Sequence, residues 1–69
     1  MFREYRVGLH NHRTDTYLTV KVVEQSESAA RHAAGPAAVA AAGGLPREWS
    51  IQWVEATGRS GKPEQSHFA

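Results

Sequence analysis

Apolar and polar positions alternate along the first part of the chain. Between Tyr5 and His10, Tyr5, Val7 and Leu9 fall on one side and Arg6, Gly8 and His10 on the other. A period of two is what a pleated strand imposes, because successive side chains point to opposite faces. The alternation resumes from Thr16 to Glu24, with Leu18, Val20 and Val22 opposed to Tyr17, Thr19, Lys21 and Val23. Threonine, tyrosine and valine suit such a surface. The intervening "NHRTD" is polar and of hairpin length, so the pattern predicts a β-hairpin.

The period changes at "QSESAARHAA". Ser26 is the predicted N-cap, since its hydroxyl can accept from an unpaired amide of the first turn, and Glu27 suits the positive helix end. Gly35-Pro36 then interrupts, because proline lacks an amide hydrogen and its ring clashes with the preceding turn. The expectation is a helix ending near Ala34 and a second, shorter piece starting at Pro36, with a single kinked helix as the alternative. "GGLP" closes the helical region. In "EWSIQWVEA", Trp49, Ile51 and Trp53 alternate with Ser50 and Gln52, which predicts a third strand. Beyond Ala56, "TGRSGKPEQSHFA" has no periodicity and reads as a flexible polar tail, 57–69, after a single domain spanning 1–56.

The predicted fold class is α+β, of order ββαβ. A right-handed crossover places the third strand beside the first, giving an antiparallel sheet of order 3-1-2 with one face covered by an alanine-rich helix. Alanines 30, 33, 34, 37, 40 and 41 let the helix lie close to the sheet, and Trp49 and Trp53 fill the volume they leave. The opposite face carries Phe2, Tyr17, Val23 and Val54 among Glu4, Arg6, Lys21, Ser50 and Gln52. A partly apolar open sheet in so small a protein invites a cover, either a second copy in a homodimer or another partner.

Composition narrows the class. Sixty-nine residues make one small domain, near the lower limit for a single hydrophobic core. With no cysteine, disulfides and thiolate zinc sites are unavailable, which fits a reducing compartment. A net charge of +1 is too weak to point to nucleic acid by charge alone. The charged N-terminus "MFREYRVGLH" does not read as a signal peptide. "AAGPAAVAAAGGL" is too short, too alanine-rich and too broken by glycine and proline to span a bilayer, which needs ~20 apolar residues. The expected setting is the cytoplasm, away from membranes.

Candidate chemistry is sparse. His10 and His12 have the spacing of half a metal site, but a zinc site needs three or four protein ligands. The remaining candidates, Asp15, His32 and His67, are not fixed by spacing to meet the pair, so no metal ligand set is expected. Ser26 and Ser28 are explained as helix-start residues and Ser50 as a strand residue, while no nucleophile elbow is present. Glu4, Glu24, Glu48 and Glu55 read as strand-end and surface charges rather than an acid–base pair. "GRSGKP" has Pro63 where a phosphate loop needs a hydroxyl. The chain is therefore expected to be non-enzymatic and without a cofactor.

Asn11, His12 and Arg13 combine hydrogen-bonding groups with a fixed charge at the hairpin turn, as a recognition loop does. The expected partner-binding residues are His10, Asn11, His12 and Arg13 at that tip, with Arg6, Tyr17 and Lys21 on the open face. Direct nucleic-acid binding is the alternative: scattered Arg and Lys residues would contact phosphate and Tyr17 would stack a base. Glu4 and Glu48 interrupt any basic stripe.

The layout is itself informative. A short hairpin, a serine-capped helix in "VVEQSESAARHAA", a strand "WSIQWVEA" and a polar tail resemble the very small ββαβ proteins of bacterial phages and mobile elements, including anti-CRISPR inhibitors of type I surveillance complexes. The resemblance covers residues 2–56. It implies occlusion of a protein or nucleoprotein complex of a bacterial host, such as a CRISPR surveillance complex subunit, by surface contact alone. Several such inhibitors are acidic DNA mimics, and the balanced charge of this chain departs from that pattern.

Overall fold

The computed structural model describes residues 2–60 and 67–68, with side-chain environments for 2–58. Its elements are β1 (Arg3–Asn11), β2 (Thr16–Glu24), α1 (Glu27–Ala42), a 3-10 turn (Pro46–Glu48), β3 (Trp49–Ser60) and a short β4 (His67–Phe68). The sheet order is β3-β1-β2-β4 and every pairing is antiparallel. The first three strands thus take the expected order, with α1 against one face. Two features extend it: β3 runs past Ala56 to Ser60, and β4 pairs with Val20 and Lys21 of β2. Residues 61–66 and 69 of the expected tail lie outside the described residues.

The buried core joins Tyr5, Val7 and Leu9 of β1, Val20 and Val22 of β2, Ala30, Ala34 and Ala38 of α1, and Trp49. This is the period-two set of the hairpin met by a helical stripe at steps of four. The Ser26 side chain accepts from the Ala29 amide at 3.1 Å, which caps α1 as expected.

The expected break at Gly35-Pro36 does not divide the helix, which continues through Pro36 to Ala42. Proline removes one intrahelical hydrogen bond. The fully buried alanines 30, 34 and 38 straddle it, so packing on the sheet holds both halves in one register. Continuity also changes which alanines meet the sheet. Ala38 is buried and Ala40 and Ala41 are exposed, whereas a second helical piece would have reset the phase.

A second correction concerns the tryptophans. Trp49 is in the core, its indole N–H donating to the Gly43 carbonyl at 3.1 Å, but Trp53 is 43% exposed. The cause is a bulge. Leu9 pairs with Ile51 and the adjacent Gly8 with Trp53, so Gln52 is an extra residue. One extra residue inverts the facing of everything beyond it. Trp53 turns to the uncovered face and Val54 packs against the core.

Candidate functional site: the uncovered sheet face

The face away from α1 carries Glu4, Arg6, Gly8 and His10 of β1, with Tyr17, Thr19, Lys21 and Val23 opposite them on β2. Beyond the bulge, β3 adds Trp53 beside Gly8 and Glu55 beside Arg6. Tyr17 is 76% exposed. Val23, expected to be open, is buried.

Gly8 explains where Trp53 goes. A Cβ at position 8 would overlap Nε1 and Cε2 of the indole, so only glycine lets the ring lie over the central strand. The result is an open hollow of about 180 Å³ lined by Gly8, Tyr17, Thr19, Gln52 and Trp53, among others. His10 supports the far wall, its ring centroid 4.6 Å from that of Tyr17 and tilted by 30°. Above the hollow, Arg6 lies 4.0 Å from Glu55 and Lys21 pairs across strands with Arg6. Glu4 Oε1 accepts from the Thr57 hydroxyl at 2.9 Å. Two cations and two carboxylates therefore share this end of the face.

The hairpin tip is braced. Asn11, expected among the exposed contact residues, is 3% exposed. Its side-chain oxygen accepts from the amides of Arg13 at 2.9 Å and Thr14 at 3.0 Å. Such a side-chain turn satisfies amides that the reversing backbone leaves unpaired. The Asp15 amide donates to the Asn11 carbonyl at 2.8 Å, and Asp15 takes φ 54°, a left-handed conformation that Asp tolerates better than most residues. The tip is also fastened to the 3-10 turn: the His12 amide donates to the Glu48 carbonyl at 2.9 Å, and Arg13 lies 3.6 Å from the Glu48 carboxylate. It is a braced corner, with the side chains of His12 and Arg13 facing solvent.

The two histidines meet edge to face, centroids 5.5 Å apart. His10 Nε2 lies 2.8 Å from Asp15 Oδ1. A carboxylate only accepts, so that nitrogen carries the proton and is committed to Asp15. His32 stands on the helix, its Nδ1 3.3 Å from the Ser28 carbonyl. No group of three or more potential metal ligands occurs among the described residues.

Of the expected contact residues, the structure gathers Arg6, His10, Tyr17 and Lys21 on one face. It leaves His12 and Arg13 at its corner and takes Asn11 out of reach. Sequence reasoning weighed Trp53 as a contact residue but placed it in the core. The available signal was Gly8: an isolated glycine inside a strand marks close approach by a neighbour. No helix among the described residues is long and apolar enough to cross a membrane. Comparisons with protein-family models, curated proteins and solved structures find no match to this chain.

Proposed function

We propose that this chain acts by binding, without bond chemistry or cofactor, and that its uncovered sheet face is the surface that engages a larger protein or nucleoprotein assembly. The supporting observation is the exposure of Trp53 and Tyr17 around a glycine floor on a face that α1 does not cover. Large aromatic side chains left in water on a braced scaffold are the usual anchors of protein interfaces. Arg6, Lys21 and His10 rim the anchors; His12 and Arg13 extend the contact toward the corner. In its specific form, the reading is an inhibitor from a phage or mobile element, of anti-CRISPR type, that occludes a complex in the cytoplasm of a bacterial host.

The test is a pull-down from a candidate host with the tagged full chain, a Trp53→Ala/Tyr17→Ala variant, and an Arg31→Ala control altered on the helix. Wild type and control recover a stoichiometric complex and the double variant, with its thermal midpoint retained, does not. Equal recovery by all three, or no complex, overturns the reading. A surveillance-complex subunit among the captured chains supports the specific form, and a different target overturns that form alone.

One observation favours a second reading, a small nucleic-acid-binding regulator: two aromatic rings share a sheet face with Arg6 and Lys21, as in single-strand stacking platforms. Glu4 and Glu55 on the same face weigh against it. Gel shifts across a salt series separate the two, since phosphate contacts weaken steeply with salt.

A further inference from the structure

We propose that the hollow between Tyr17 and Trp53 is a docking groove for a short proline-rich segment of the partner, held in the extended polyproline II conformation. The inference rests on the binding reading above and specifies the chemistry that the face recognises. Three observations lead to it.

The first is shape. Two aromatic walls stand over a floor that has no side chain at Gly8. Pyrrolidine rings pack against aromatic faces, and aromatic-lined grooves are the common receptors of polyproline II segments.

The second is hydrogen-bond sense. The Tyr17 hydroxyl, the Thr19 hydroxyl and the Trp53 indole N–H have no hydrogen-bond partner among the described residues. Indole N–H can only donate, and both hydroxyls can. A proline-rich segment offers solvated carbonyl oxygens and few N–H groups, so it supplies acceptors to these three donors.

The third is a comparison of occupants. Nine residues of β1 at ~3.4 Å each, and β3, β1 and β2 ~4.8 Å apart, outline a flat footprint of about 440 Å². A stable protein–protein contact takes about 800 Å² from each partner, so a second copy laid on this face would bind weakly. A nucleic-acid strand would meet Glu4 and Glu55 as well as Arg6 and Lys21, with no net attraction to its phosphates. A polyproline II segment needs neither area nor charge, because it is ordered before it binds and loses little freedom on docking.

The test uses the full chain, ¹⁵N-labelled, titrated with three probes: capped deca-proline, a capped glycine–serine decapeptide and decathymidylate. Saturable shifts are expected at the Gly8 and Thr19 amides and at the Trp53 indole N–H with deca-proline only. Tyr17→Ala, which alters an exposed side chain and so leaves the fold intact, should weaken deca-proline binding about tenfold, the loss expected of an anchor residue. Stronger shifts with decathymidylate overturn the proposal in favour of nucleic acid. Shifts at the same residues on raising protein concentration alone overturn it in favour of a second copy. If deca-proline leaves the spectrum unchanged while the pull-down complex still depends on Trp53, the proline chemistry falls and the binding reading stands. Failure of both removes both.

Discussion

Single side chains decide what this face can present. Gly8→Ala places a methyl group where the Trp53 indole lies. The ring must swing away or the strands must part, at an expected cost of about 1–3 kcal/mol. Urea denaturation followed by tryptophan emission checks this, with Trp49→Phe as background so that only Trp53 reports. Asn11→Ala withdraws a buried acceptor from the Arg13 and Thr14 amides. A loss of about 1–2 kcal/mol is expected, read as a fall in thermal midpoint of several degrees for a domain of this size. Asn11 illustrates what sequence conceals. A polar residue at a hairpin turn reads as exposed, and nothing local shows that the 3-10 turn, far along the chain, closes over it.

At the scale of elements, the strands and helix were legible because each buries one face and so writes its own period. Ser26, the hairpin pairs and the start of β3 follow from that. Two features did not, each because a tertiary contact outweighs a local rule. Proline is a reliable local disruptor, yet the alanine stripe 30, 34, 38 keeps α1 whole across Pro36. Trp49, Ile51 and Trp53 keep perfect alternation in sequence, so the extra residue at Gln52 leaves no mark in the pattern. The helix yields a further prediction. Ser26→Ala should cost about 1 kcal/mol by uncapping α1, read as a fall in thermal midpoint of several degrees.

For the molecule as a whole, the one helix among the described residues lies on one side of the sheet and leaves Tyr17 and Trp53 exposed on the other, while Val23 on that same side is buried. The exposed part is what a surface function in so small a chain would use. The uncovered side balances Arg6 and Lys21 against Glu4 and Glu55. Partner binding should accordingly change less than about tenfold between 50 and 200 mM salt, whereas six or more phosphate contacts would cost about a thousandfold or more. Isothermal titration at the two salt concentrations makes the measurement.

The bulge at Gln52 has a consequence for how such a protein can vary. Removing that one codon would leave Ile51 opposite Leu9 and Trp53 opposite Gly8, so β3 would run straight with Trp53 still outward and Val54 still inward. A shorter sibling of this chain would thus keep the exposed indole on a flatter ribbon. Closing the offset with Gln52 retained would instead turn the indole inward, so its outward setting is held by how the two strands are matched.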